Sequence, residues 1–467
     1  MMGLNQAQTE LWVGPVNLAR RVPDDHFLRR LNKALDLGFV REEVARFYGK
    51  KGNVSVDPVI IMKMMLLLFL DNVRSERELM RIIPLRIDYL WYLGYGLEDE
   101  IPNHSVLSKA RRRWGTEVFE SLFKKTIALC LGAGLVDGSK LHVDASLIRA
   151  DASKNSVVDV ALHEVLGKLD EVAAPAKSKT VNQSKKSTTD PDSTVVRHRS
   201  GPSVPSYKNH RVVDDKVGVV TVTKTTTGAV NEAHELVDLT REHHANTGIV
   251  PKVVVADSMY GTIENFTTLG YDGITTHMGD FRSKQSNHRA EGIYDQKAFK
   301  YERKNDRYIC PAGKTLTPKG VDYLRGYTEY AAAKGVCGSC VLRSHCTRSK
   351  EGRTINRYAL QEVIDRARRQ SSSEQGREDR KRRQHLQERN FADAANLHGF
   401  KRARWRGLWR QSLQDSLIAA LQNLRLLVRA GLGPLLVGLH LLNILLSEVS
   451  LLINQIFHPV LSLRLTR

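Results

Sequence analysis

Residues 141–153 read LHVDASLIRADAS, and the tripeptide Asp-Ala-Ser occurs in them twice, at Asp144 and at Asp151. Leu141, Val143, Ala145 and Leu147 share one parity, while His142, Asp144 and Ser146 share the other. Such period-two alternation marks a half-buried strand with Asp144 on its polar face. Asp151 has the opposite parity and lies past the apolar stretch. Asp144 is therefore the expected functional carboxylate.

Working outward, YKNHRVVDD and VGVVTVTKTTT read as two further strands with a turn around residues 216–218. NEAHELVDLTREHHANTG is a helix that Asn231 caps and Gly248 closes. KVVVAD is an apolar strand running into Asp257, SMYGTIENFTTL begins a second helix, and GITTHMG is a fifth strand. The order is three strands, helix, strand, helix, strand. Strands joined through a helix are usually parallel neighbours, so Asp257 falls beside Asp144 if the fourth strand adjoins the first. That order matches an α/β ribonuclease H-like fold, a mixed five-stranded sheet with helices.

Around this centre the chain divides by composition. Residues 1–130 read as an all-α domain. DPVIIMKMMLLLFL opens with Asp57 as N-cap and Pro58 at the first helical position, and Ser75 caps the next helix. NHSVLSKARRRWG, capped by Asn103 or Ser105, lines up Lys109, Arg111, Arg112 and Arg113 in a helix-turn-helix-like DNA reader. A merely solvated basic face is the plain alternative. The catalytic domain is expected over 131–280 and 371–430. Residues 152–206 read as an exposed, mobile insertion rich in Ser, Thr, Lys, Asp and Pro. A Cys-rich insertion covers 281–370, and a leucine-rich tail 431–467. The tail is broken by Gly431, Gly433 and Pro434 and interrupted by His440, Asn443, Glu448 and Asn454, which favours a packed or oligomerising helix over a membrane span.

The formal charge of +20 over 467 residues favours a polyanionic partner, nucleic acid ahead of a membrane surface. Five cysteines in so long a chain do not make a disulfide framework, and they point to a reducing compartment. The opening MMGLNQAQTE lacks the charged-then-apolar order of a signal peptide. Cys310, Cys337, Cys340 and Cys346 are spaced C-x26-C-x2-C-x5-C, a candidate structural Zn²⁺ site; four reduced thiols are the alternative. Cys130 stands apart as a core residue.

Phosphodiester cleavage or transfer needs an activated nucleophile and charge neutralised at phosphorus. Two divalent ions about 3.5–4 Å apart do both, and hard oxygen ligands hold Mg²⁺ or Mn²⁺. Asp144 and Asp257 supply two of the three acids such a site needs, although a lone strand-end aspartate is more often a cap or an ion pair. QHLQERNFADAANLHGFKRARWRG offers the third in Glu388, with Phe391 and Ala395 at i+3 and i+7 as a docking stripe; Asp393 is the alternative. Lys208, Arg383, Arg389, Lys401, Arg402, Arg404 and Arg406 are candidates to meet phosphates.

These stretches resemble the bacterial insertion-sequence DDE transposases that have an N-terminal helical DNA-binding domain. DHFLRRLNKALD, SVDPVIIMKMMLLLFL, LHVDASLIRADAS, YKNHRVVDD, VVVADSMYG, ERNFADAANLHGFKRARWRG and ALQNLRLLV carry the resemblance, across most of residues 25–429. It implies that Asp144, Asp257 and Glu388 are the catalytic acids, coordinating two Mg²⁺ ions. It implies further that the chain binds the terminal inverted repeats of its element, exposes 3′-hydroxyl ends and joins them to target DNA. Pairing of two ends would need a homodimer or a higher assembly on DNA, in the bacterial cytoplasm at the nucleoid. Many relatives carry Tyr, Arg and Lys at fixed offsets around the glutamate; here those offsets hold Lys381, Gln384 and Ala395, with Arg383, Arg389 and Lys401 nearby. A catalytically weakened DNA-binding relic and a ribonuclease H-like nuclease without strand transfer are the alternative readings.

Overall fold

A computed structural model describes residues 17–49, 55–159, 185–198, 201–279 and 292–431. Most of the leucine-rich tail therefore lies outside the described residues, as does the middle of the 152–206 insertion. Among the described residues no helix is long and apolar enough to cross a membrane.

The strands before the Cys-rich insertion are β1 (Lys140–Arg149), β2 (Val157–Asp159), β3 (Lys185–Ser187), β4 (Thr194–Arg197), β5 (Ser203–Asp214), β6 (Val220–Thr227), β7 (Val253–Val255) and β8 (Thr275–His277). β6, β5 and β1 pair antiparallel in that order, then β7 and β8 continue parallel to β1. The five long-range strands thus stand in the order expected, consistent with a ribonuclease H-like sheet. Helices Leu236–Thr247 and Ile263–Tyr271 make the two crossovers. The turn from β5 to β6 needs a backbone that only glycine adopts freely, and Gly218 has φ +92°.

The mobile insertion expected over 152–206 is in part ordered sheet. β5 is longer than β6, and residues 203–206 would leave their backbone groups unpaired; β4 pairs with them instead. The Asp-Pro-Asp segment between β3 and β4 is also put to structural use. Asp190 is buried, accepting from the Tyr207 hydroxyl at 2.6 Å and the Gly407 amide at 3.1 Å. Asp192 accepts from the Leu408 amide at 2.9 Å, so the pair caps the helix Leu408–Arg429.

That helix is the axis of the molecule. Its face from Leu413 to Val428 is buried against the helix Glu117–Gly132, β6 and the helix Pro58–Leu70. One apolar core runs through the N-terminal helices, the central helix and the end of β5, so the two regions share their packing. The N-terminal caps fall where expected: Asp57 accepts from Val59 and Ser75 from Glu78. Asn103, rather than Ser105, accepts the first free amide of the basic helix Ser105–Trp114.

The Cys-rich insertion forms a second sheet of β9 (Lys300–Glu302), β10 (Arg307–Ile309), β11 (Thr315–Asp322), β12 (Tyr327–Ala331) and β13 (Thr354–Tyr358). Neighbouring strands are antiparallel throughout. The chain then returns through helices Gln361–Ser372 and Glu374–His398 to cover β1.

Candidate active site

The parallel register of β1 and β7 pairs Lys140 with Val253 and His142 with Val255. Asp144 and Asp257 lie two residues beyond His142 and Val255, so they sit side by side where the two strands end their pairing. Asp144 is half-buried; its Oδ2 accepts from Arg383 Nη1 at 2.8 Å and its Oδ1 from the Ala145 amide at 2.9 Å. Burial pushes its carboxyl above the usual carboxylate range and the charge of Asp257 adds to this, while Arg383 pulls the other way. Asp257 Oδ1 accepts from the Met259 amide at 2.7 Å, which turns the chain away from the sheet.

Helix Glu374–His398 lies over this strand pair, yet its contacts differ from the apolar docking stripe expected. Phe391 and Ala395 are only half-buried, and Phe391 stacks on Phe400. The helix docks mainly through polar side chains. Asp379 is bound by Lys140 at 2.8 Å and His277 at 2.7 Å, and Gln387 donates to the His142 carbonyl at 2.7 Å. Asn390 accepts from the buried Arg211 at 2.6 Å. Glu388 is exposed, and its hydrogen bond comes from Gln384 on the same helix at 2.9 Å. The structure thus brings Asp144 and Asp257 together and leaves Glu388 turned to solvent. Among the described residues no three His, Cys, Asp or Glu side chains form a metal-holding group; the cation on Asp144 is Arg383. By chemistry, the paired carboxylates are hard oxygen donors suited to a divalent ion.

Asp151 and Asp393, the alternative to Glu388, lie elsewhere. Asp151 pairs with Arg402 at 3.6 Å and Arg406 at 3.4 Å, beyond the end of β1. Asp393 lines a cleft with Val217, His398 and Arg429. A further half-buried carboxylate, which the sequence pattern does not single out, is Glu232, in the 3₁₀ turn after β6. Its carboxyl is pushed up by burial and by the charges of Asp257 and Asp144, against the pull of Lys208 and Arg383. Its sequence setting, one residue after the capping Asn231, looks like an ordinary first-turn acid.

The basic candidates separate into surface and structure. Lys109, Arg112, Arg113, Arg389, Lys401, Arg402 and Arg406 are exposed. Lys401 donates to Ser146, two residues along β1 from Asp144, and Lys208 donates to the Val230 carbonyl at 2.7 Å. Arg111 differs from the DNA-facing expectation. It is buried, ion-paired with Glu76, with its guanidinium 3.9 Å from the centre of the Trp405 ring. Arg404 likewise binds inward, to the Leu68 and Val73 carbonyls and to Asn72 at 2.8 Å. Both tie the N-terminal helices to the rest of the chain.

In the insertion, Cys310, Cys337, Cys340 and Cys346 line one cavity with Phe299, Leu316 and Val336. All four are free thiols, and burial together with the neighbouring sulfurs pushes the Cys346 thiol up. Cys130 is buried in the core, as expected.

No curated protein matches the chain. Solved structures similar to it include a Mos1 transposase paired-end complex with left transposon end, 13% identical over 51% of this chain and 64% of that chain, with a TM-score of 0.16. Another is a piggyBac transposase synaptic complex with hairpin DNA, 10% identical over 92% and 84% of the two chains, with a TM-score of 0.30. The chain thus spans just under two thirds of the Mos1 chain, and scores this low carry no weight for the fold. Sequence families are more specific. Residues 16–113 match a transposase domain (DUF772), residues 309–428 match a transposase DDE domain, and the paired aspartates lie between these two transposase matches.

Proposed function

We propose that this chain binds the terminal inverted repeats of a mobile DNA element, cleaves a strand at each end and joins the freed 3′-hydroxyl to target DNA. The observation that carries the reading is the position of Asp144 and Asp257, two residues past the parallel pairing of β1 and β7, in a ribonuclease H-like strand order. Asp144, Asp257 and Glu388 would hold divalent cations of the Mg²⁺ or Mn²⁺ class, two in number. Bound there, such ions would supply Lewis acidity and an activated water or hydroxyl. The chain's own contribution is positional. β1 holds Asp144 and the turn after β7 holds Asp257, while Arg383 binds Asp144 and Lys401 binds Ser146 two residues along the strand. The exposed Lys109, Arg112 and Arg113 extend that charge for binding duplex phosphates. Two DNA ends would be paired by a dimer or larger assembly. The four cysteines at one cavity would suit a soft tetrahedral ion such as Zn²⁺, holding the insertion sheet in shape.

A second reading, a DNA-binding copy with weakened catalysis, is favoured by the outward Glu388 and by Gln384 at an offset where relatives carry arginine. The two are separated by incubating the full chain and Mg²⁺ with DNA bearing the element's flanking repeats. Asp144→Asn and Asp257→Asn are expected to cut cleavage by about 100-fold or more while repeat binding persists. Cleavage at the wild-type rate in either variant would sink the assignment, and no cleavage by wild-type protein that still binds would favour the second reading.

A further inference from the structure

The insertion sheet curls until its two edges meet. β9 and β13 stand at opposite ends of the strand order. Yet Gln296, just before β9, donates to the Asn356 carbonyl of β13 at 3.0 Å, and the Arg357 guanidinium lies 3.7 Å from the centre of the Tyr301 ring. An open groove lies between this closure and the β11–β12 hairpin. Tyr301, Tyr327, Tyr330 and Tyr358 line it, packed edge to face in pairs: Tyr327 with Tyr358 at 5.7 Å and Tyr301 with Tyr330 at 6.2 Å. Asp306 accepts the hydroxyls of Tyr301 and Tyr330 at 2.7 and 2.5 Å, which fixes both rings.

The hairpin tip breaks the usual burial rule. Val321, Tyr323 and Leu324 are 51, 89 and 95% exposed, three large apolar side chains within four positions. A cluster of that kind marks an interaction surface, where a single exposed residue would not. Tyr323 also lines the groove, and unlike the other four tyrosines it has no ring partner among the described residues.

Charge decides what the surface fits. The acids nearby are already engaged: Glu302 by Arg307 at 2.7 Å, Glu362 by Arg357, and Asp322 by Arg325 at 3.9 Å. Arg303 on the groove wall and Lys304 beside it are exposed, and no carboxylate lies within ion-pair distance of either among the described residues. Flat rings therefore stand next to uncompensated cations. An unpaired nucleic-acid strand is the complement, since its bases offer π-faces and its backbone offers phosphates. A duplex keeps those base faces inside its own stack, and an apolar protein surface would leave the cations unmatched.

We propose that this groove holds a single-stranded stretch of DNA, with a base stacked on Tyr323 and a neighbouring phosphate on Arg303. The proposal rests on the DNA-binding part of the reading above and not on its catalytic part. It gives the insertion a strand-holding role of its own.

The test is fluorescence anisotropy of a labelled oligothymidylate, and of labelled duplex bearing the element's flanking repeats, each titrated with the full chain. Tyr323→Ala is expected to weaken oligothymidylate binding by about five-fold or more, the loss of one stacked base, and to leave duplex binding unchanged. Tyr323→Trp keeps a flat ring and is expected to bind at least as tightly as wild type. Arg303→Gln is expected to lower the slope of log affinity against log salt by about 0.7, one single-strand phosphate contact. Tyr271→Ala, which removes a ring of similar exposure outside the insertion, is expected to change nothing. Wild-type oligothymidylate binding in both Tyr323→Ala and Arg303→Gln would overturn the groove and leave repeat binding, and so the earlier reading, standing. A wild-type chain that binds neither DNA would bring down both. Equal losses for single strand and duplex in Tyr323→Ala would overturn the stacking role. An oligomer that dissociates in Tyr323→Ala, with oligothymidylate binding unchanged, would overturn it too and give the tip to a second copy of the chain.

Discussion

At the scale of single residues, the run Lys109-Ala-Arg-Arg-Arg shows how far charge can be read without geometry. Arg111 and Arg112 are chemically identical neighbours, but the helix places Leu107, Ala110, Arg111 and Trp114 on its buried face. That spacing of three and four is visible in the sequence once Trp114 is taken as a core residue. What is not visible is the distant acceptor, Glu76, or the Trp405 ring. Removing one member of a buried ion pair leaves the other charge uncompensated, which costs about 3–5 kcal/mol. Arg111→Ala is therefore expected to lower the stability of the chain by about that amount in a denaturant titration. Arg112→Ala should stay within about 0.5 kcal/mol of wild type, as exposed substitutions do. Equal losses in the two variants would contradict the placement. Asp144 was legible for the opposite reason: strand parity is a local property, and the carboxylate that the alternation singles out is the one beside Asp257.

At the scale of elements, the five core strands could be read because each buries an apolar face, and burial leaves a period in the sequence. The helix Glu374–His398 leaves almost none. Its inner face carries Asp379, Arg383, Gln387 and Asn390, each bound to a partner far away in the chain. Polar docking of this kind depends on complementary geometry, which a single sequence does not display; hence Phe391 and Ala395 read as the contact stripe. The same holds for the Asp190–Asp192 cap, where a polar, proline-containing stretch looks like loop. Asp379 is nearly fully buried between Lys140 and His277, with Gln375 donating to it at 3.0 Å. Hydrogen bonds to a charged group contribute about 1.5–3 kcal/mol. Asp379→Ala is expected to loosen the first turns of this helix, seen as faster amide hydrogen exchange over residues 374–390 than in wild type. Unchanged exchange there would show that apolar contacts, not this cluster, hold the helix down.

At the scale of the whole molecule, the shared core ties the N-terminal helices, the central helix and the sheet together, and buried histidines stand at the joins. His398 donates its Nδ1–H to the Phe69 carbonyl at 2.8 Å, between the long helix and the helix Pro58–Leu70. His243 joins β6 to the chain before β1 through Thr221 at 2.8 Å and the Gly138 carbonyl at 3.2 Å. Burial lowers both from 6.5 to about 4, and the nearby arginines also lower His398. The folded chain therefore binds fewer protons than the unfolded chain between those values. Stability rises with pH across that window and is lost as pH falls from about 6.5 towards 4, by up to about 3 kcal/mol per histidine. Asp415 works in the other direction. Buried beside Thr225, Gln411 and Asn209, it is pushed up to about 7, so it favours the folded state at low pH and weakens it as pH rises towards neutrality. His210 is also lowered, to about 3, so three buried histidines act against Asp415 across this window. Calorimetry of the full chain should show a melting temperature that falls between pH 6.5 and 4.5. His398→Gln retains an amide able to donate to Phe69 but cannot titrate, so its melting temperature should fall less over the same interval. A variant that tracks wild type through that range would mean that proton uptake at the joint between the two helices does not govern acid unfolding.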